Sequence, residues 1–268
     1  MHALLKWALA LSLFSTNVAI AVEELISLDS REGVKQKFIL EKSDTAAASV
    51  ILFAGGKGAL DLYQGVFGGS GMNWGKNNFL VRTRNLFHNH GFNVVTIDAP
   101  SDRQGQKGML NGFRDSSEHV QDIDTVIKYL KTEFNKPVWL VGTSRGVESA
   151  ANVALNTQAG IDGLVLTSSM TEKNNSGVSL PEMPLKNIKV PVMITHHKND
   201  GCRKTTPAGA RQIQSMLSGA KVAELKLYEG GNETSKNPCE AMTHHGYLGI
   251  EAAVIDDIAA FIKQHSTH

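Results

Sequence analysis

A serine between two glycines is the residue of this chain best suited to chemistry. Residues 142–146 read GTSRG, directly after the apolar run 138–141 and before a helical pattern. In a G-x-S-x-G motif the serine lies on a sharp strand-to-helix turn, with glycines where a Cβ would clash. The helix that follows supplies backbone N–H groups and a partial positive charge. Ser144 is therefore the candidate nucleophile of an acyl-transfer reaction.

The acid of such a site is expected after the serine in the chain. A serine hydroxyl needs a general base, and the base needs a third group that fixes its orientation. Functional loops of a doubly wound sheet lie at the carboxyl ends of the strands. Asp200, just past a late apolar strand, meets this requirement. Glu172 lies at no clear strand end, while Asp98 and Asp102 precede the serine.

Two adjacent histidines are the candidates for the base. His244 and His245 lie between the last predicted strand and the last predicted helix, where a loop can reach back over the serine. We prefer His245 because the following Gly246 permits a close backbone approach, and His244 stays the alternative. His196 and His197 lie beside the acid and are expected to line or support the pocket.

The oxyanion of an acyl-transfer intermediate needs hydrogen-bond donors. The backbone N–H of Arg145, the residue after the serine, is one candidate. The second is expected from the loop after the strand 49–53, where residues 54–58 read AGGKG. Gly56 is our choice for this donor, and Lys57 is the alternative.

The elements that must position these residues alternate along the chain. Such alternation of short apolar runs with helix-period segments indicates an α/β fold, a mostly parallel twisted sheet with helices on both faces. Strands are predicted at 37–40, 49–53, 93–98, 137–141, 163–167, 190–196 and 224–228, and helices at 79–90, 116–134, 145–156, 208–217 and 250–264. The Gly-rich stretch 61–78 carries Phe67 and Trp74 and should line the site. The stretch 168–189 is too short for a cap domain, so an open site is expected.

The composition excludes some partners. The chain has 268 residues, a net charge of +1 and 41% hydrophobic residues, which suits one globular domain at 22–268. It has no basic run or aromatic-basic stripe, so nucleic acid is not an expected partner.

The amino terminus indicates export. Lys6 precedes an apolar stretch at 7–14, and Ala19-Ile20-Ala21 is an A-x-A cleavage signal, so residues 1–21 are interpreted as a signal peptide. A membrane anchor would need a longer apolar stretch. We therefore expect a secreted or periplasmic protein with no stable membrane span after cleavage.

The expected export also guides the interpretation of the cysteine pair. Cys202 and Cys239 are the only cysteines, and an isolated pair in an oxidising compartment most often forms a disulfide. No Cys-x-x-Cys or His-x-x-x-His spacing surrounds them, so a metal site is not expected. Asn174 and Asn232 head N-x-[ST] sequons, which matter only if the host glycosylates.

Taken together, these motifs resemble the α/β-hydrolase superfamily in its small, capless, exported form. The resemblance covers nearly all of 37–265 and rests on the serine motif, the loop 55–58, Asp200 and the sequence His245-Gly246-Tyr247. It implies an eight-stranded, mostly parallel sheet and a cofactor-free reaction. Ala54 stands where lipase-type members have histidine, and Lys57 interrupts the glycines, which weakens assignment to that subgroup.

The resemblance implies specific roles and a function. Ser144 would be the nucleophile, His245 the base and Asp200 the group that orients it. The expected function is an exported serine hydrolase that cleaves small-molecule carboxylic esters through an acyl-enzyme. An amide or peptide hydrolase with the same triad, or a non-catalytic exported binding protein, stays the alternative. A serine at position 144 excludes dehalogenase chemistry, which uses aspartate on this turn. A Cys202–Cys239 bridge would tie the acid loop to the base loop.

Overall fold

The computed structural model describes residues 23–66, 69–173 and 177–266. The predicted signal peptide, Phe67 and the sequon asparagine Asn174 lie outside these residues. The strands are β1 (Glu23–Arg31), β2 (Val34–Glu41), β3 (Ala48–Phe53), β4 (Leu62–Gln64), β5 (Ser70–Met72), β6 (Phe92–Ile97), β7 (Val138–Thr143), β8 (Gly163–Thr167), β9 (Val192–His197) and β10 (Ala223–Tyr228). The α-helices are α1 (Phe79–Arg82), α2 (Arg84–Asn89), α3 (Ser117–Phe134), α4 (Gly146–Asn156), α5 (Pro207–Met216) and α6 (Glu251–His265).

Eight of the strands form one sheet. Their order is β1-β2-β6-β3-β7-β8-β9-β10. The strands from β6 to β10 in this order pair in parallel, whereas β2 is antiparallel to both of its neighbours, β1 and β6. The fold class predicted from the sequence, a mostly parallel eight-stranded sheet, is therefore confirmed.

Helices cover both faces of this sheet, and each face has its own apolar core. On one face α3, α4 and α5 pack through buried residues such as Ile127, Val147 and Ile213. On the other face α1, α2 and α6 contribute Phe79, Phe87 and Ile258. Central strands buried on both faces read as continuous apolar runs, which is why the sequence pattern located them well.

Helix α3 shows how local sequence sets an element. The Ser116 hydroxyl accepts a hydrogen bond from the His119 N–H at 3.2 Å and caps the amino terminus. Asn135, in the left-handed conformation at φ 48°, ends the helix. Between the caps, Ile123, Ile127 and other apolar residues at helical spacing are fully buried.

Two parts of the fold differ from the predicted elements. The single helix predicted at 79–90 is two short helices, because Thr83 leaves the helical conformation (ψ 6°) and its hydroxyl bonds back to the Phe79 carbonyl at 2.7 Å. The Gly-rich stretch 61–78 contains the hairpin β4–β5, in which Leu62 faces Met72. Within the described ranges, no helix is both long and apolar enough to cross a bilayer.

Candidate active site

The candidate nucleophile lies on a strained turn between β7 and α4. Ser144 has φ 52°, a conformation that residues with a side chain rarely adopt. A Cβ on Gly142 would lie 2.7 Å from the Gly146 carbonyl oxygen, and one on Gly146 would lie 2.0 Å from that of Phe53. Both glycines are therefore required by close approach. The Ser144 N–H donates to the Thr167 carbonyl at the end of β8 at 3.0 Å, which holds the turn against the next strand.

The predicted acid and base form a hydrogen-bonded pair. His245 Nδ1 lies 2.9 Å from Asp200 Oδ2, and both residues are buried. Asp200 follows β9, and His245 lies in a short 3₁₀ turn before α6. The other histidine of the base loop, His244, lies 3.0 Å from a carboxylate oxygen of Glu233 and stacks on His197. His245, and not His244, is therefore the histidine that is hydrogen-bonded to Asp200.

Asp200 is held by several donors besides the imidazole. Its Oδ1 accepts from the Cys202 N–H at 2.9 Å, and its Oδ2 accepts from the Thr205 hydroxyl at 2.9 Å. His196 Nε2 lies 3.3 Å from the same Oδ2. Burial alone would raise the pKa of Asp200, but hydrogen bonds from His196 and His245, and the charges of these residues, outweigh it and lower the pKa. The carboxylate is therefore ionised at neutral pH.

The backbone around the base is also fixed. The His245 N–H donates to the Thr243 hydroxyl at 3.1 Å, and the His245 carbonyl accepts from the Ser168 hydroxyl at 2.7 Å. A Cβ on Gly246 would lie 1.9 Å from the Ala241 carbonyl oxygen, so only glycine fits there. The close approach that led us to prefer His245 is present.

Ser144 and His245 open into the same cavity of about 340 Å³. Its walls come from the loop after β3, the base loop and the segment before α1, including Lys57, Trp74 and Asn78. Trp74 is 58% exposed, and the Lys57 ammonium lies 4.8 Å from the centre of its ring. Trp74 thus lines the site as predicted.

The loop after β3 lies directly against the serine. A Cβ on Gly55 would come within 3.0 Å of the Ser144 Cβ, so the backbone there touches the nucleophile turn. The Gly58 N–H donates to the Gly55 carbonyl at 3.3 Å, closing a turn in which Gly56 has φ 59°. The N–H groups of Gly56 and Lys57 donate to no acceptor among the described residues. Both stay candidates for the second oxyanion donor, beside the N–H of Arg145.

The predicted disulfide is present and adjoins the acid. Cys202 and Cys239 are bonded, with their Cα atoms 4.6 Å apart. The N–H of Cys202 is one of the donors to Asp200, and Cys239 lines the cavity. The bridge therefore joins the loop that carries the acid to the one that leads to the base.

The competing acids have other contacts. Asp98 accepts from the N–H groups of Leu60 and Leu62 at 2.7 and 2.9 Å and so holds the loop after β3. Asp102 lies 3.0 Å from Arg31 Nη2, and Glu172 is exposed. The structure brings none of them to His245.

Two supporting residues were missed from the sequence. Thr205 donates to Asp200 and lies 3.1 Å from His245 Nδ1. Arg114 is fully buried behind the loop after β3. Neither stands in a motif, and both residue types are ordinary surface residues, so no pattern singled them out.

Comparison with known proteins agrees with this geometry. The family model of "Serine aminopeptidase, S33" matches residues 66–183, less than half of the chain. An esterase from Pyrococcus furiosus superposes with a TM-score of 0.64 at 14% identity, over 92% of this chain and 94% of that one. A cold-adapted esterase from an Arctic intertidal metagenomic library superposes with a TM-score of 0.62 at 14% identity, over 91% of this chain and 94% of that one. Est1E from Butyrivibrio proteoclasticus superposes with a TM-score of 0.58 at 14% identity, over 90% of this chain and 98% of that one.

Comparison with curated proteins finds no match. At these identities the structural matches establish the fold, and the partial family match agrees with it. The order of the sheet, the glycine-flanked serine turn after β7 and these comparisons show that the chain has the α/β-hydrolase fold, and they support its resemblance to that superfamily.

Proposed function

We propose that this protein is an exported serine hydrolase that cleaves carboxylic esters through an acyl-enzyme. The observation that carries the proposal is the His245–Asp200 hydrogen bond of 2.9 Å at a cavity that Ser144 also lines. A serine on a strained turn, a buried imidazole and an ionised carboxylate are the groups that this reaction needs. The hydrolase described by the family match and the esterases among the structural matches support the same reaction class.

The proposed reaction has two halves. His245 takes the proton of the Ser144 hydroxyl while Oγ forms a bond to the ester carbonyl carbon, and the carbonyl oxygen becomes an oxyanion. The N–H groups of Arg145 and of the loop after β3 stabilise that oxyanion. The protonated imidazole then gives its proton to the departing alcohol oxygen as the C–O bond breaks. Water repeats these steps on the acyl-enzyme and releases the acid, and no cofactor is used.

Ester substrates are favoured over amino-terminal peptides by the lining of the cavity. An aminopeptidase must pair the substrate ammonium with a carboxylate. Among the described residues that line the cavity there is a lysine, Lys57, but no aspartate or glutamate. A volume of about 340 Å³ lies at the small end of ligand pockets, so we expect short acyl chains.

Export is part of the proposal. The Cys202–Cys239 disulfide suits an oxidising compartment. The predicted signal peptide lies outside the described residues, and amino-terminal sequencing of protein from the periplasm or medium would test cleavage after residue 21.

The test of the activity is covalent labelling followed by a substrate screen. Wild-type protein should gain one fluorophosphonate adduct by intact mass, and Ser144→Ala should gain none. p-Nitrophenyl acetate and butyrate should be cleaved faster than the octanoate, and all three faster than amino-acid p-nitroanilides. A reversed preference would favour the amide-hydrolase alternative. Folded wild-type protein that stays unlabelled would favour the binding-protein alternative.

A further inference from the structure

Four consecutive carbonyl groups of the loop after β3, those of residues 54–57, accept hydrogen bonds. The carbonyls of Gly55 and Lys57 accept from the N–H groups of Gly58 at 3.3 Å and Met109 at 2.8 Å. Those of Ala54 and Gly56 accept from one side-chain atom, Arg114 Nη2, at 2.9 and 3.2 Å. Four consecutive peptide groups are thus held by their oxygens, and a single buried side chain holds two of them.

Arg114 is held in a buried position behind the loop. The residue is 1% exposed, and its Nη1 donates to the Ser149 hydroxyl at 2.7 Å. A Cβ on Gly58, which has φ 72°, would lie 2.4 Å from Nη2, so the glycine makes room for the guanidinium. Burial lowers the pKa of Arg114 to about 10, which still leaves the group charged at neutral pH. Keeping a charged group buried is costly unless its contacts compensate.

The direction of the donors follows from peptide geometry. In a trans peptide the C=O of one residue and the N–H of the next point in opposite directions, and the described residues contain no cis bond. Carbonyls that point at Arg114 therefore turn the N–H groups of Gly55 and Lys57 away from it. Gly55 and Lys57 are among the residues that line the cavity, so the N–H groups that point away from the guanidinium belong to cavity-lining residues.

We propose that Arg114 is the positioning residue of the oxyanion site. It locks the carbonyls of Ala54 and Gly56 from the buried side, and so aims the N–H groups of Gly55 and Lys57 into the cavity before substrate arrives. Donors fixed in advance need no reorganisation as the oxyanion forms. The fixed positive charge behind the loop also favours the negative charge of the oxyanion. This inference rests on the proposed ester hydrolysis.

The experiment compares Arg114→Met with Arg114→Lys. The methionine has similar length but no donors. The lysine keeps the charge but lacks the planar fork that reaches both carbonyls with one nitrogen and Ser149 with the other. For p-nitrophenyl butyrate we expect kcat to fall about 100-fold in Arg114→Met and about tenfold in Arg114→Lys, with KM within about threefold of wild type. The loss falls on kcat because the oxyanion forms only in the transition state.

A trifluoromethyl ketone separates positioning from folding. Ser144 would add to its carbonyl and the oxyanion of the hemiketal would occupy the donor site, so its Ki should rise by the factor by which kcat falls. Arg84→Met is the matched control. Arg84 is partly buried and ion-paired with Glu23 and Glu41, and it makes no hydrogen bond or ion pair with the described residues 54–58. It should lose melting temperature while kcat and Ki stay within about threefold.

Each outcome decides the proposal. A folded Arg114→Met with wild-type kcat would overturn it, as would an equal loss of kcat in Arg84→Met. If Arg114→Met does not fold, Arg114→Lys decides, and a kcat within twofold of wild type would overturn the proposal. A wild-type protein that neither binds the ketone nor reacts with fluorophosphonate would overturn the proposed function instead.

Discussion

Removal of the Cys202–Cys239 disulfide should lower both stability and turnover. The bridge closes a loop with a sequence separation of 37. On the chain-entropy relation, releasing a loop of this size costs about 4 kcal/mol at 25 °C. For a chain of this length that corresponds to a fall in melting temperature of roughly 10 °C. The double variant Cys202→Ala/Cys239→Ala should show this loss in urea unfolding.

The effect on turnover has a separate cause. The Cys202 N–H is a direct donor to Asp200 at 2.9 Å, and Cys239 lies in the segment that leads to the base. Without the bridge, the acid and base loops can drift apart, and small misplacements of catalytic groups are costly. We expect kcat to fall on the order of tenfold at a temperature where the variant is still folded.

Ser235→Ala is a suitable control for this experiment. It removes a hydrogen bond of 2.8 Å to Glu240 in the same exposed segment but leaves the bridge intact. Its stability should stay within about 0.5 kcal/mol of wild type. Unchanged unfolding and unchanged kcat in the double cysteine variant would refute the reasoning. A loss of stability without a loss of kcat would show that the bridge stabilises the fold but does not position the acid.

Three further changes test other parts of the structure. His245→Ala should lower kcat for p-nitrophenyl butyrate roughly 10⁴-fold, while His244→Ala should stay within about threefold; the reverse pattern would move the base to His244. Gly146→Ala should prevent soluble expression, because its Cβ would lie 2.0 Å from the Phe53 carbonyl oxygen, and a stable variant would contradict that contact. Burial raises the pKa of Glu148 to about 7, above its unfolded value. The protonated form therefore stabilises the fold below about pH 4.5 and this stability is lost as the pH rises through 7. Between pH 5 and pH 8 the free energy of urea unfolding should fall by about 2 kcal/mol in wild type but not in Glu148→Gln. An equal fall in both proteins would show that another group causes it.

The sheet was predictable from sequence because its central strands are buried on both faces. Such strands form largely apolar runs, and five of the seven predicted strands, which correspond to β3, β6, β7, β8 and β9, are buried at every residue. The edge strand β1, with its alternating exposure, was not predicted. The hairpin β4–β5 was missed because strands of three residues in a Gly-rich stretch show no periodicity.

The candidate site was predictable only where local sequence reflects geometry. The glycines around Ser144 and after His245 mark close backbone approaches, and each is required by the structure. Asp200 followed from chain order and its place after a strand. Thr205 and Arg114 act through hydrogen bonds to groups distant in sequence, and a threonine or arginine carries no local sign of such a partner.

The end of β8 contributes none of the proposed catalytic residues, yet it holds two of their loops in place. The Thr167 carbonyl accepts the Ser144 N–H at 3.0 Å, and the next residue, Ser168, donates its hydroxyl to the His245 carbonyl at 2.7 Å. Ser168 itself has φ 43°, and its N–H donates to the Thr195 carbonyl within β9 at 3.1 Å. Strain of this kind persists only where surrounding contacts enforce it. The nucleophile turn and the base loop are therefore both hydrogen-bonded to residues at the end of β8. This shared attachment sets their separation independently of the acid loop.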